Sequence, residues 1–196
     1  MSVMAGDADL APRPARPSDV KRVAALLAQA IDTSPFYGER FKQNEKRRLD
    51  ERLLRTLIAI DPWHVALAWR DGEIAAIAIT LPEFGTLWSP WIYVVPGGRS
   101  QALGLSMIRF MKRHWDNGRF HKVACYVRPD NETAQKVFSH FGFERIAHLK
   151  DHLFGEDYLL YELPLTKVTE GYDNGLAVGR AMRLRIRWQE MMARFS

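Results

Sequence analysis

The stretch from Val94 to Phe143 constrains the fold more than any other part of the chain. An aromatic-rich apolar run, Trp91-Ile92-Tyr93-Val94-Val95, gives way through Pro96-Gly97-Gly98 to Arg99-Ser100-Gln101-Ala102-Leu103-Gly104. A helix then follows, with Met107, Ile108, Met111 and Trp115 on one face and Asn117-Gly118 as its stop. A helix start offers unpaired N–H groups and the positive end of a macrodipole, both of which attract anions. Side chains as small as those of Ala102 and Gly104 let a pyrophosphate come close to those groups. The residues themselves therefore predict an anion cradle over 100–105, with Arg99 beside it. A short buried strand over 122–127 comes next, then Pro129-Asp130-Asn131 and a helix striped by Ala134, Val137, Phe138 and Phe141, stopped by Gly142.

The remaining pattern extends this into one mixed sheet. Ser18-Asp19 cap a helix whose apolar positions Val20, Val23, Leu27 and Ile31 keep helical spacing. Thr33-Ser34-Pro35 breaks it, and 37–60 reads as a second, highly charged helical stretch. Strands over 64–70 and 73–81 flank Asp71-Gly72, a pair suited to a tight primed turn. A strand over 87–95 feeds the cradle, and two last strands over 143–150 and 158–163 flank a polar connection over 151–157. Helices, then strands, a crossover helix and a strand-helix-strand end place helices on both faces of the sheet.

Composition fits a single packed domain: 196 residues, 47% hydrophobic, 26% charged. No apolar run is long enough for a membrane span, and residues 1–9 read as a disordered leader lacking the features of a secretory signal. One cysteine, Cys125, rules out an internal disulfide framework and suits a reducing cytoplasm. The net charge of +5 suits a polyphosphate ligand; without a zinc-finger, RNP or helix-turn-helix signal, specific nucleic-acid binding is not expected. Beyond a joint at Gly171, Asn174 and Gly175, residues 165–196 form a basic amphipathic extension. Its stripe of Ala177, Leu184, Trp188, Met191 and Phe195 favours a helix over the competing two-residue alternation of 182–188. Such a helix docks on its own domain, joins a homodimer or meets an acidic partner.

Two motifs carry a resemblance. Val94-x-Pro96-x-x-Arg99-x-x-Ala102-x-Gly104 resembles the acetyl-CoA signature of the GNAT N-acyltransferase superfamily, Val-x-Pro-x-x-Arg-Gly-x-Gly-x-Gly/Ala. Asn131-x-x-Ala134-x-x-x-Phe138-x-x-Phe141-Gly142-Phe143 is similar to its second signature, Asn-x-x-Ala-x-x-Leu-Tyr-x-x-x-Gly-Phe. The resemblance covers residues 10–164. It implies an α/β fold with a mostly antiparallel sheet of six to seven strands flanked by four helices. It also implies transfer of an acetyl or other short acyl group from acyl-CoA to a primary amine of a small molecule, or to a protein lysine or N-terminus, without a metal. The alternatives are an acyl-CoA-binding or regulatory module with little catalysis, or a partner-binding protein that uses the basic C-terminal helix.

The resemblance assigns the cofactor to Tyr93, Val94, Arg99, Ser100, Gln101, Ala102, Leu103, Gly104, Asn131 and Phe138, with main-chain groups of 92–94 serving the pantetheine arm and the thioester oxygen. Ala102 and Ser100 stand where the family usually has glycine. Phe138 replaces the family's frequent tyrosine and cannot protonate a departing thiolate, so Ser139, Tyr126 or Cys125 would substitute, or water would. Glu83 and Tyr93 are the candidates for removing the amine's proton. Trp88, Trp91 and Phe36 are expected on the acceptor side, His64 at the surface or in a cap, and Cys125 in the core.

Overall fold

The structure, a computed structural model, describes residues 11–97 and 100–168, without the side chains of Ser100 and Gln101. The expected leader, Arg99 and all of the extension beyond residue 168 lie outside the described residues. Seven strands and five α-helices follow in the order β1 (Arg13–Pro14), α1 (Val20–Thr33), α2 (Glu39–Arg48), α3 (Glu51–Ile60), β2 (Val65–Arg70), β3 (Glu73–Glu83), β4 (Thr86–Val94), α4 (Ser100–Trp115), β5 (Lys122–Val127), α5 (Glu132–His140), β6 (Glu144–Leu153) and β7 (Glu156–Pro164). The strands form one sheet in the order β1-β2-β3-β4-β5-β7-β6. β4 and β5 pair in parallel; every other neighbouring pair is antiparallel.

Helices cover both faces. Val20, Val23, Leu27 and Ile31 of α1 and Leu54 and Leu57 of α3 pack on Leu67, Ile77, Ile79 and Trp91. On the other face, Ile108, Met111 and Trp115 of α4 meet Leu87, Val123, Leu159 and Leu163, with Ala134 and Val137 of α5 at the edge. The first half of α4 lies on a floor of alanines, Ala66, Ala68, Ala76 and Ala78, which contact Leu103 and Met107. Methyl groups of that size let the helix approach the sheet closely.

Three expectations need correction. The stretch 37–60 is two helices: Leu49 leaves helical geometry (φ −93°, ψ 46°), and Asp50 restarts the helix by accepting the Leu53 N–H at 2.8 Å. The polar connection over 151–157 is a hairpin instead, because β6 runs on to Leu153 and Phe154-Gly155 (φ 57° and 79°) turns the chain in two residues. A register shift between Leu149 and Leu153, with Asp151 at φ 48°, breaks the alternation that would have revealed the longer strand. His64 is fully buried, stacked on Trp115 at 4.7 Å with Nδ1 3.0 Å from Thr80 Oγ1. Its short 3₁₀ turn, Pro62–His64, folds inward against α4.

Candidate active site

The sheet opens at its one parallel junction. β4 and β5 share three ladder pairs, Thr86↔Lys122, Leu87↔Val123 and Trp88↔Ala124, and then part, although both strands continue. The cause lies in β4. Between the pairs Ile79↔Trp91 and Leu81↔Trp88, one residue of β3 faces two of β4, Ser89 and Pro90. Such a bulge bends its strand, and proline has no N–H to donate to a neighbour. Beyond it, the β5-side edge of β4 and the start of 125–127 face a gap without ladder pairs.

The cradle sits at the open end. β4 ends at Val94, and α4 begins at Ser100 with no acidic side chain in its first turn, whereas α2, α3 and α5 each carry a glutamate there. Its free N–H groups therefore suit an anion. A Cβ added to Gly104 would lie 3.5 Å from Val94 Cγ2, an ordinary contact, so α4 packs on β4 here with room for a methyl group. Leu103 is buried in the alanine floor, which leaves its main chain alone for a ligand, while Ala102 is exposed. Asn131 caps α5, its Oδ1 accepting the Ala134 N–H at 3.1 Å. Phe138 packs on Phe143 and Tyr161, with centroids 4.9 and 6.3 Å away, and Ser139 next to it is exposed. Tyr93 is half-buried opposite Ile77.

A cavity of about 750 Å³ begins where the strands part, with Ser89, Pro90, Cys125 and Tyr126 in its wall. Rings dominate the rest: Tyr37, Phe41, Trp88, Tyr126, Phe154 and Tyr158 converge from five parts of the chain. Tyr37 stacks on Phe41 at 4.3 Å, Phe41 meets Phe154 and Tyr158 at 6.4 Å, and Tyr126 lies 5.0 Å from Trp88. Of the sequence candidates, Glu83, Trp88, Cys125 and Tyr126 line the cavity; Tyr93, Ser139 and Phe36 do not. Trp91 lies behind it, 5.6 Å from Tyr37.

Sequence reasoning missed Glu45. This carboxylate is 6% exposed and lines the cavity. Its Oε1 accepts Trp91 Nε1–H at 2.7 Å and Arg48 Nη2–H at 2.5 Å, and its Oε2 accepts Arg48 Nε–H at 2.8 Å. The four-residue spacing of Tyr37, Phe41 and Glu45 was the available signal, since it sets an aromatic stripe with one acid on an otherwise polar stretch.

Burial shapes the titration of the wall. It pushes the Tyr37 hydroxyl above its ordinary range, and Tyr158 and Glu45 add to the rise. It pushes Tyr158 up to about 12, opposed by the Arg128 cation. Arg128 lies over the Tyr158 ring at 5.3 Å, yet the hydroxyl has no hydrogen-bond partner of acceptable geometry. Tyr126 rises through burial and then the Glu83 charge, and burial raises the Cys125 thiol, so neither is an anion at neutral pH. The cavity can thus present protonated hydroxyls, one rim carboxylate and ring faces to a ligand.

The sequence profile of the acetyltransferase (GNAT) family matches residues 28–143. The chain belongs to that family, and its sheet, split at one parallel junction, is the family's fold. No curated protein matches the sequence. Among solved structures, the ribosomal-protein-alanine N-acetyltransferase of Brucella melitensis is similar at 17% identity and a TM-score of 0.64, covering 79% of this chain and 99% of that one. A GNAT-family acetyltransferase of Streptococcus pneumoniae shows 16% identity and a TM-score of 0.64 over 79% and 98%. The phosphinothricin acetyltransferase of Sinorhizobium meliloti, in complex with AcCoA, shows 15% identity and a TM-score of 0.61 over 82% and 94%. No described helix is long and apolar enough to cross a membrane.

Proposed function

We propose that this protein is an N-acyltransferase that moves an acetyl or other short acyl group from acyl-CoA to a primary amine of a small molecule or protein. One observation carries the reading: the ring-lined cavity opens at the point where β4 and β5 part. A pantetheine arm in the gap and an amine in the cavity would then meet at the parting. Acetyl-CoA, which two structural neighbours contain, supplies the activated thioester.

In this reading the first-turn N–H groups of α4 hold the pyrophosphate together with Arg99, and main-chain groups of Tyr93 and Val94 orient the arm. Asn131 and Phe138 flank it from α5. Glu83, at the cavity rim, takes a proton from the amine through water. The nitrogen lone pair forms the new N–C bond, the C–S bond breaks, and the sulfur accepts a proton. The position of Tyr126 in the cavity wall, with its hydroxyl kept protonated, supports it over the exposed Ser139 as the donor. A cytoplasmic location, suggested by the lone Cys125, belongs to the same proposal.

The test is free-thiol release from acetyl-CoA in the presence and absence of an amine panel. Release that depends on an amine supports transfer. Calorimetric CoA binding without such release would make the chain a binding module, and absence of CoA binding would overturn both readings.

A further inference from the structure

Phe84 and Phe154 each take the first central position of a tight turn before glycine, at φ 46° and 57°. That left-handed region favours Asn, Asp or Gly and strains a bulky side chain. Both rings also line the cavity while remaining 73% and 44% exposed. Phe154 gains an edge contact with Phe41 at 6.4 Å and Arg40 over its face at 5.0 Å, but at both turns the backbone is strained and apolar surface stays wet. A ligand that covers both rings accounts for the two choices together.

Deeper in the wall, Ser89 Oγ is buried without a hydrogen-bond partner, and the buried Tyr158 Oη has only the Arg128 guanidinium near it, short of good hydrogen-bond geometry. Unmet hydrogen-bonding capacity of this kind is uncommon in a folded protein. An amine or ammonium brings up to three N–H donors to such oxygens. Ser89 directly follows Trp88, the last β4 residue paired with β5, so a nitrogen there would lie at the mouth of the gap. Among the lining residues, Glu45 and Glu83 against Arg48 leave a net charge of −1 (one cation against two anions), and Arg128 behind Tyr158 offsets it, so the site suits a neutral amine rather than an ammonium.

We propose that the cavity takes a small primary amine bearing an aromatic ring, with its nitrogen at Ser89 and Tyr158 and its ring covered by Phe84 and Phe154. This rests on the transferase reading and narrows it: the acceptor is an arylalkyl amine rather than a protein. A cavity of about 750 Å³ is large enough to hold such a molecule whole.

The experiment compares kcat/KM for 2-phenylethylamine, ethylamine and an alanine-terminated peptide, with acetyl-CoA, in the natural protein and in Phe84→Asn and Phe154→Asn. Asparagine suits the left-handed turn position, so Phe84→Asn should keep or raise Tm, and in Phe154→Asn the relief of strain offsets the lost Phe41 and Arg40 contacts and keeps the fold. The aromatic amine should lead ethylamine roughly a hundredfold, and each variant should cut that lead about tenfold. Equal or better turnover of ethylamine or the peptide, or an unchanged lead in both variants, overturns the assignment while leaving acetyl transfer intact. If no amine is acetylated, calorimetry with 2-phenylethylamine alone decides. Binding that weakens in the two variants upholds the ligand class and removes the transferase reading, and absence of binding overturns the class.

Discussion

One oxygen atom at Phe138 separates two roles for α5. The ring is held by Phe143 and Tyr161 but is only partly buried, so a hydroxyl added to it can reach water. Phe138→Tyr should raise turnover with an established acceptor if loss of the thiolate is slow. The stability cost should stay below the roughly 1–3 kcal/mol of a buried, unsatisfied hydroxyl. A stable variant that binds acetyl-CoA and turns over no faster would remove leaving-group protonation as the limiting step. A second residue-scale effect is the acid sensitivity of His114, which lies 4.7 Å from Trp63, 5.2 Å from Phe110 and 4.8 Å from Trp115. Burial holds its pKa below 6.5; Asp61 opposes that shift and Arg119 adds to it. The unfolded chain therefore binds this proton more readily, so the contribution to stability is complete above pH 6.5 and is lost as pH falls through the folded value. His114→Phe should keep the ring packing and flatten the fall of Tm on acidification below pH 6.5. Some slope should remain, because His121 is also held low, by burial and then Lys122. An unaltered pH profile of Tm would show that the His114 proton is not felt by the fold.

At the scale of elements, the approach of α4 to β4 decides whether the cradle meets the gap. An alanine methyl at Gly104 would make ordinary contact with Val94 and would favour the helix by about 1 kcal/mol, so Gly104→Ala should be neutral or stabilising. Gly104→Val carries two further carbons toward Val94 and should push the start of α4 off the strand. Calorimetry should then show CoA binding at least tenfold weaker, with the far-ultraviolet circular dichroism retained. Undiminished affinity in the valine variant would separate the helix start from the cofactor. The elements that sequence made legible share a physical signature. The apolar stripes of α1 and α4 stand against polar neighbours, and Asp71-Gly72 supplies both positive φ angles of its turn. Where the signature is absent, sequence was silent. The break at Leu49-Asp50 falls between two charged segments, and the Phe154-Gly155 turn puts an apolar ring where turn chemistry usually shows asparagine or aspartate. The cradle was legible because it is local, whereas the cavity joins residues from Tyr37 to Tyr158, and only its Tyr37, Phe41 and Glu45 share a local spacing.

At the scale of the whole molecule, the sheet is two lobes joined by a short seam. β1–β4 with α1–α3 form one, β5–β7 with α5 form the other, and three ladder pairs with the buried Leu87 and Val123 hold them together. α4 underlies both, since its side chains enter the alanine floor of one lobe and the core of the other. A pantetheine arm in the gap would hydrogen-bond to strand edges that the fold leaves unpaired, acting as the missing rungs of the ladder. Acyl-CoA should therefore stiffen the seam as well as bind to it. At one hundred times its Kd it should add about 2.7 kcal/mol to stability by mass action alone. Hydrogen exchange should slow most in 89–94 and 125–127, and less in β2 and β6, which lie away from the gap. A rise in Tm with protection concentrated instead at the groove of Arg13, Arg16 and Arg55 would mean that the phosphates bind there. That result would detach the cofactor from the seam, and with it the proposed meeting of thioester and amine at Ser89.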